Sequence, residues 1–207
     1  MRQALLKIAK GIAAGIMISI GCAVYLACEN KTIGAIGFSV ALLIICYLKF
    51  SLYTGKIGFL IVRRDKEYFS ELTLGLLGNA IGVIICGWLL SYAFPQMRSS
   101  AISLYDAKLS QTFLQTIIRA AFCGVLMYVA VAVFSDKNSP IGILFAIPVF
   151  ILSGFEHSIA DMGYFAISMQ FSLNAFGYIW TVILGNSIGS LIISFLAGSK
   201  EKNNGLL

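Results

Sequence analysis

The stretches Leu77-Gly78-Asn79-Ala80-Ile81-Gly82 and Leu184-Gly185-Asn186-Ser187-Ile188-Gly189 decide the fold of this chain. Each lies in a long apolar run. In each, two glycines stand four residues apart, a spacing that lets two membrane helices approach until their backbones touch. The return of the same pattern in the second half of the sequence predicts that the chain consists of two similar halves.

Around these repeats the chain divides into six apolar stretches, each long enough to cross the hydrocarbon core of a bilayer. The second is interrupted by polar residues at 51–56 and the fifth at 153–158, so each repeat closes a group of three stretches whose middle member is broken. The approximate limits of the stretches are 5–28, 33–62, 72–93, 112–134, 141–169 and 175–197.

Three crossings are an odd number, so the second group must have the opposite orientation in the membrane. The predicted fold is an all-α membrane protein whose six transmembrane helices form two inverted three-helix repeats, 1–93 and 108–199, with broken second and fifth helices. Together they make a single channel domain, 1–207. Inverted repeats with broken helices place a permeation site near mid-membrane, between the two breaks.

The composition agrees with a membrane protein and excludes an ordinary soluble domain. Of the 207 residues, 59% are hydrophobic and 12% are charged, and the mean hydropathy is +0.90. Soluble domains carry about 25% charged residues. The net charge of +6 is interpreted as a mark of the cytoplasmic side of the membrane, and no nucleic-acid partner is expected.

The distribution of Lys and Arg predicts the orientation of the chain. With both termini in the cytoplasm, nine basic residues fall in inner segments and three in outer segments. Because inner segments carry the excess of positive charge, the predicted location is the cell membrane, with both termini cytoplasmic. The inner set is Arg2, Lys7, Lys10, Arg63, Arg64, Lys66, Lys137, Lys200 and Lys202, and the outer set is Lys31, Arg98 and Lys108.

The two interruptions hold the polar residues that are expected to carry the chemistry. A broken helix exposes backbone groups that lipid cannot satisfy, so such breaks line water or are buried in protein. The first break offers Thr54, and the second offers Glu156 and the only histidine, His157. An ionisable side chain inside a membrane is costly and is therefore a functional candidate, although His157 could also tie helix ends together. Glu156 is predicted to cap free backbone N–H groups.

The stretch Gly154-Phe155-Glu156-His157-Ser158-Ile159-Ala160-Asp161-Met162 closely resembles the signature of the formate/nitrite transporter family. Leu52-Tyr53-Thr54-Gly55 is similar to the loop in the first broken helix of that family, and the two Leu-Gly-Asn repeats resemble its third and sixth helices. The resemblance implies a homopentamer of aquaporin-like protomers in the lipid bilayer. Each protomer would have its own pore for small monovalent anions such as formate, nitrite or hydrosulfide.

The resemblance also implies roles for particular residues. His157 would be the central histidine of the pore, Thr54 the threonine that faces it, and Lys108 a lysine that draws anions into the outer vestibule. Asn79 and Asn186 would hold the broken helices through their side-chain amides. The cytoplasmic constriction would consist of Leu52, Tyr53 and Met127, and the outer constriction of Phe38, Leu42 and Phe150.

Two positions depart from the pattern of the family. Asp161 stands where the family usually has Asn, one helical turn after His157, so its carboxylate could face the same lumen. There it would repel anions unless it is protonated or paired, and it would favour the protonated form of His157. Arg119 and Lys49 are charged residues within apolar spans and candidate partners, but Lys49, near the end of its apolar run, is predicted to reach the membrane interface instead. Tyr53 replaces the usual phenylalanine and adds a hydroxyl to the constriction.

These features predict a channel or transporter for small monovalent weak-acid anions, passive or proton-linked through His157. The sequence has no Gly-x-x-x-x-Gly-Lys phosphate loop, and no cofactor or metal is expected. A neutral-solute channel of the aquaporin type is the alternative, although the breaks lack Asn-Pro-Ala motifs. An enzyme is not expected, because there is one histidine and no His-x-x-x-His or Ser-His-Asp arrangement. A purely structural membrane subunit would need no ionisable residue at mid-membrane.

Overall fold

The computed structural model describes residues 1–198, which form nine α-helices and one short 3-10 helix. The predicted all-α fold is confirmed. Ser199, at the end of the predicted second half, and the counted inner residues Lys200 and Lys202 lie outside the described residues. The helices are α1 (Arg2–Ala27), α2 (Lys31–Tyr47), α3 (Tyr53–Lys56), the 3-10 helix (Ile57–Ile61), α4 (Lys66–Ala93), α5 (Pro95–Leu109), α6 (Phe113–Lys137), α7 (Ile141–Leu152), α8 (Ser158–Ser168) and α9 (Leu173–Leu196).

Four helices, α1, α4, α6 and α9, are long and apolar enough to cross a membrane. The shorter apolar helices α2 and α7 are each followed, after a break, by a further helix, α3 or α8. Large apolar side chains are exposed on the outside of the isolated chain, among them Trp88, Phe122 and Leu184. Such a surface is unfavourable in water, whereas hydrocarbon tails cover it without penalty.

Glycines of the two sequence repeats lie where α1 packs on α4 and where α6 packs on α9. A Cβ atom on Gly82 would lie 2.3 Å from the carbonyl oxygen of Ile12, and one on Gly189 would lie 1.9 Å from the carbonyl oxygen of Ala121. Both distances are far inside van der Waals contact, so only glycine permits these approaches. The two repeats therefore make the same type of helix contact, each within its own half of the chain.

Residues 95–109, predicted only as a polar stretch between two spans, form the helix α5. Pro95 lies at its start, where a missing backbone N–H leaves no hydrogen bond unmade. The buried ring of Tyr105 packs on Phe165 of α8, with 4.7 Å between the ring centroids. The few apolar residues of this segment give no clear helical stripe, which is why the sequence did not indicate the helix. The helix matters because it carries Lys108 to the second break.

Both α2 and α7 are followed by a residue in the left-handed conformation. Lys49 has a φ of 54° and Gly154 a φ of 68°, each two residues beyond the end of its helix. This conformation turns the chain out of the helix, as at many helix C-termini. Leu52 and His157, the residues that precede α3 and α8, are then extended.

Candidate functional site

Asn79 of α4 holds the first break through its whole side-chain amide. Its Oδ1 accepts the backbone N–H of Tyr53 at 3.0 Å, and its Nδ2 donates to the carbonyl oxygens of Ser51 at 2.8 Å and Gly11 at 2.9 Å. The backbone N–H of Ser51 donates to the carbonyl oxygen of Lys10 at 3.2 Å. Asn79 is fully buried, so these bonds replace the water that a membrane interior cannot supply.

Asn186 of α9 holds the second break in the same way. Its Oδ1 accepts the backbone N–H of Ser158 at 2.9 Å, and its Nδ2 donates to the carbonyl oxygens of Glu156 and Ala120, both at 2.8 Å. The backbone N–H of Glu156 donates to the carbonyl oxygen of Arg119 at 3.4 Å.

The two sets of hydrogen bonds match residue for residue. Ser51 at the first break has the bonds that Glu156 has at the second, and Leu52 has the position of His157. The first break therefore presents a hydroxyl and an apolar side chain where the second presents two ionisable side chains.

His157 and Thr54 meet across the two breaks. The Nε2 of His157 lies 2.8 Å from the Oγ1 of Thr54, and both side chains are buried. The Nδ1 of the same ring accepts the backbone N–H of Ala160 at 3.1 Å, which makes His157 the N-cap of α8. Because a backbone N–H can only donate, Nδ1 carries no proton, and the ring proton lies on Nε2, which donates to Thr54. The hydroxyl of Thr54 keeps its own proton for another acceptor.

Two phenylalanines lie beside this pair. The ring of Phe150 stacks on the imidazole of His157, with 5.6 Å between centroids and 19° between planes, and Phe38 meets Phe150 edge-on at 6.4 Å. Leu42, the third residue predicted for the outer constriction, is also buried but lines a different, small cavity of about 30 Å³. The structure thus brings Phe38 and Phe150 to His157, and Leu42 belongs to the same buried apolar cluster as the two phenylalanines.

A cavity of about 230 Å³, called the charged cavity below, has His157 in its wall together with four charged side chains. Lys108 and Arg119 are cationic, and Glu156 and Asp161 are carboxylates. Lys108 and the two carboxylates are mostly buried, whereas Arg119 is exposed. The volume has room for a small anion and several water molecules.

Lys108 is bound by both carboxylates of the charged cavity. Its Nζ lies 2.8 Å from the Oδ1 of Asp161 and also contacts the Oε2 of Glu156. The partner of Asp161 is therefore Lys108, and the predicted pairing with Arg119 was wrong, because the sequence did not indicate the helix that delivers Lys108. Burial by itself lowers the pKa of Lys108, but the two carboxylates more than offset this and hold the pKa above its ordinary value. Lys108 is therefore cationic.

The sequence predicts that Glu156 caps free backbone N–H groups, but in the structure it does not. Its carboxylate accepts hydrogen bonds from Lys108 and from the Nε2 of Gln111, the latter at 2.6 Å. Both donors lie at or just after the end of α5, so Glu156 fastens that helix to the second break. The prediction was wrong because the ring of His157 already occupies the capping position of α8.

Of the three residues predicted for the cytoplasmic constriction, two lie in one apolar cluster and the third packs against a second cluster. Leu52 and Met127 are buried in the same apolar cluster, and of the three only Leu52 lines the small cavity. Tyr53 is partly buried, and its hydroxyl lies 2.9 Å from the Oγ of Ser187 in α9. The hydroxyl that distinguishes Tyr53 from phenylalanine is thus used in a contact with α9.

Lys56 and Glu71 form a mostly buried ion pair that sequence reasoning missed. The Lys56 Nζ lies 2.5 Å from the Glu71 Oε1, and the side chains are 10% and 19% exposed. The hydroxyl of Tyr68 donates to the carbonyl oxygen of Lys56 at 2.7 Å, and Lys56 also lines the small cavity. The sequence feature that could have indicated this pair is a lysine at the end of the first break, followed by a glutamate in the first turns of the next long helix.

The site offers hydrogen-bond donors, one of which is a lysine ammonium bound by two carboxylates. Within residues 1–198, no three His, Cys, Asp or Glu side chains come together as metal ligands would. The donors are the Nε2–H of His157, the hydroxyl of Thr54 and the ammonium of Lys108. Such groups suit the binding of a small anion, because each can replace one of its lost contacts with water.

A family model described as formate/nitrite transporter matches residues 2–198 of the chain. The chain is 24% identical over 149 residues to the formate-nitrite transporter of Plasmodium vivax and 30% identical over 149 residues to the uncharacterized transporter YwcJ of Bacillus subtilis. These matches cover 64% and 65% of this chain, and 47% and 58% of the two relatives. The chain thus spans about half the length of the relatives that it matches.

Solved structures share the fold along almost the whole chain. A pentameric formate channel with formate bound superposes with a TM-score of 0.81 at 22% identity, covering 95% of this chain and 96% of that channel. An ion channel of the FNT family gives a TM-score of 0.76 at 21% identity, covering 94% of this chain and 88% of that one.

Proposed function

The chain belongs to the formate/nitrite transporter family, and from this premise we propose that it is a channel or transporter for small monovalent weak-acid anions of the formate, nitrite or hydrosulfide type. The observation that carries the proposal is the His157–Thr54 pair, a buried pair of donors between two broken helices and next to a charged cavity. An ion in an apolar pore loses its water, and donors fixed in place compensate for part of that loss.

The architecture in the membrane is part of the proposal. The chain crosses the bilayer six times as two inverted repeats, 1–93 and 108–199, whose broken second and fifth helices meet at mid-membrane. The matching hydrogen bonds of Asn79 and Asn186 support this arrangement, since each ties a break to the last helix of its own half. Both termini lie in the cytoplasm, and the charged cavity opens to the outside. Labelling of cysteines introduced near each end by an impermeant reagent tests this orientation.

Apolar side chains flank the His157–Thr54 pair on both sides of the proposed route. Phe38 and Phe150, with Leu42, form the outer constriction, and Leu52, Tyr53 and Met127 form the cytoplasmic one. An anion waits in the charged cavity beside Lys108, passes the outer ring, and is held by Thr54 and His157 before the inner ring. A weak-acid anion suits this route, because a proton makes it neutral for the apolar passages.

A link to protons is a further part of the proposal, with His157 as a hydrogen-bond donor whose ring does not itself become charged. Protonating its Nδ1 requires loss of the hydrogen bond from Ala160, and hence of the cap on α8. The version of the mechanism that fits this geometry uses His157 as a neutral donor through Nε2.

The protein is proposed to act as a homopentamer in the cell membrane, with one pore per protomer. The support is the pentameric state of the formate channel that shares its fold. Multi-angle light scattering of the detergent-solubilised protein tests the proposal, and a monomeric mass would contradict it.

The transport proposal is tested by stopped-flow uptake into proteoliposomes. Formate, nitrite, hydrosulfide, acetate and chloride are compared with an uncharged solute such as glycerol. We expect uptake of weak-acid anions above that of protein-free vesicles. Uptake of glycerol alone would support a neutral-solute channel instead, and uptake of none would contradict the proposal.

Thr54→Val removes the hydroxyl while it keeps the shape of the side chain. We expect formate flux to fall about tenfold, the factor that corresponds to a lost hydrogen bond of about 1.4 kcal/mol at the barrier. The matched control is Thr73→Val, because the Thr73 hydroxyl is exposed and bonds within its own helix. Equal flux in the two variants would remove Thr54 from the proposed pore.

A further inference from the structure

His157 is poorly placed to take up a proton. Its Nε2 already carries one, and its Nδ1 is occupied by the backbone N–H of Ala160. A second ring proton would point at that N–H and uncap α8. If this ring took up a proton at low pH, the hydrogen bond that caps α8 would be lost.

The two carboxylates of the charged cavity differ in their free lone pairs. Both oxygens of Glu156 accept hydrogen bonds, one from Lys108 and one from Gln111. Asp161 uses only Oδ1, on Lys108, and among residues 1–198 no donor reaches its buried Oδ2. A proton on Glu156 would weaken a hydrogen bond that the same oxygen already accepts, whereas Oδ2 of Asp161 accepts no hydrogen bond from residues 1–198 that a proton would weaken.

The charges of the cavity also favour one added proton. Lys108 and Arg119 supply two positive charges, and Glu156 and Asp161 supply two negative ones, so the lining is neutral overall. A monovalent anion that enters makes the cavity negative by one. With a proton on Asp161, the same anion leaves it neutral, and the repulsion between anion and carboxylate is removed.

We infer that Asp161 is the proton-binding site of the pore, and that a monovalent anion enters the charged cavity together with a proton on this residue. The inference rests on the proposed anion transport and adds to it the residue that links anion entry to protons. Water on the open side of the cavity supplies the proton. An O–H bond forms at Oδ2, one O–H bond of hydronium breaks, and Oδ1 stays on Lys108.

Other titratable and charged groups lie on the elements packed around Asp161. None of those named here is a carboxylate with an oxygen that accepts no hydrogen bond. They are Lys108 of α5, Glu156 and His157 of the break, Cys22 and Tyr25 of α1, Cys86 of α4, Arg119 and Cys123 of α6, Tyr164 of α8 and Tyr178 of α9.

Asp161→Asn tests the inference, because the amide imitates the protonated acid permanently. Formate uptake into proteoliposomes is measured from about pH 5 to about pH 8, with protein-free vesicles subtracted. In the unaltered protein we expect flux to rise as pH falls. In Asp161→Asn we expect flux near pH 7.5 to rise about tenfold over the unaltered protein and to lose its pH dependence, because the repelling charge is absent at every pH.

The matched control is Asp106→Asn, the same change at an exposed carboxylate two residues before Lys108 on α5. It should leave both the rate and the pH dependence of formate flux unaltered. Asp161→Asn with an unaltered pH dependence, or with a lower flux at every pH, would overturn the inference.

Infrared titration of the solubilised protein provides a readout that needs no transport. We expect a carboxylic-acid band that grows as pH falls, persists in Glu156→Gln and disappears in Asp161→Asn. A band that disappears in Glu156→Gln, or no band at all, would overturn the inference even if Asp161→Asn did not fold. Absence of anion flux in the unaltered protein together with the Asp161 band would contradict the proposed transport and leave the proton site in place.

Discussion

The break before α3 and the break before α8 share one scaffold but not one chemistry. At each, a single asparagine of the last helix in its half bonds the same three types of backbone group. The residue before the helix is Leu52 at the first break and His157 at the second. Leu52 makes no side-chain cap, whereas His157 caps α8 and also reaches Thr54.

The comparison distinguishes the residues that hold a broken helix in place from the ionisable side chains that the broken helix presents. The scaffold consists of asparagine and glycine, which meet backbone groups and are therefore needed in both halves. The first break carries one ion pair, Lys56–Glu71, whereas at the second break α5 adds Lys108 to two carboxylates and a histidine. The functional asymmetry thus comes from side chains placed on a repeated frame.

The largest effect is expected from the asparagines. Asn186→Ala and Asn79→Ala each leave three buried backbone groups without a partner, so each should lower the free energy of unfolding by about 2–4 kcal/mol. If the frame is shared, the two values should agree within about 1 kcal/mol. Unfolding of the solubilised protein by a denaturing detergent measures both.

Asn30→Ala serves as the comparison for these variants, because it removes two exposed hydrogen bonds at the N-cap of α2. It should cost about 1 kcal/mol, the usual value of an N-cap. A small loss in only one of the two buried variants would show that the breaks are held differently.

The glycines should give the next largest effect. Gly189→Ala and Gly82→Ala force helices apart at carbonyl contacts, so each should lower the free energy of unfolding by about 1–3 kcal/mol. Because the Gly189 contact is shorter, its variant should be the less stable of the two. The same detergent titration measures the difference.

Gly177→Ala is the control within α9, since no atom lies within 4 Å of a Cβ at that position. It should be neutral or stabilise the helix by up to about 1 kcal/mol. If Gly177→Ala lost as much stability as Gly189→Ala, the contact with Ala121 would not be the cause of the loss.

The smallest stability effect, and the sharpest test of the comparison, is expected from His157→Leu, which gives the second break the residue of the first. Loss of the cap should cost about 1 kcal/mol. Formate flux in proteoliposomes should fall at least about tenfold, because the Nε2–H donor is gone. His157→Asn should recover most of the stability, since asparagine caps helices, but not the flux. Full flux in His157→Leu would show that the donor has no part in transport.

Much of the frame could be predicted because it is local in sequence. The interruptions of apolar runs located both breaks, and the repeated Leu-Gly-Asn pattern identified the asparagines. The membership in the formate/nitrite transporter family is confirmed by the match over residues 2–198. The roles of the pore residues stay predictions.

The rest depended on contacts between distant segments. Lys108 reaches Asp161 from α5, a helix with too little apolar periodicity to be expected, and so the sequence offers Arg119 as the partner instead. Glu156 was assigned a cap because its position before a helix favours one, but the neighbouring ring of His157 makes that bond. Which of two adjacent polar residues turns toward the helix is settled by packing, not by sequence.

The double use of one imidazole limits how this protein can change over evolution. One ring nitrogen of His157 caps α8 and the other bonds Thr54 across the two breaks, so a single mutation there alters both contacts at once. Side chains with fewer such contacts are freer to change. Asp161, one turn along the same helix, commits only Oδ1, to Lys108, so divergence between relatives should concentrate there rather than at the histidine.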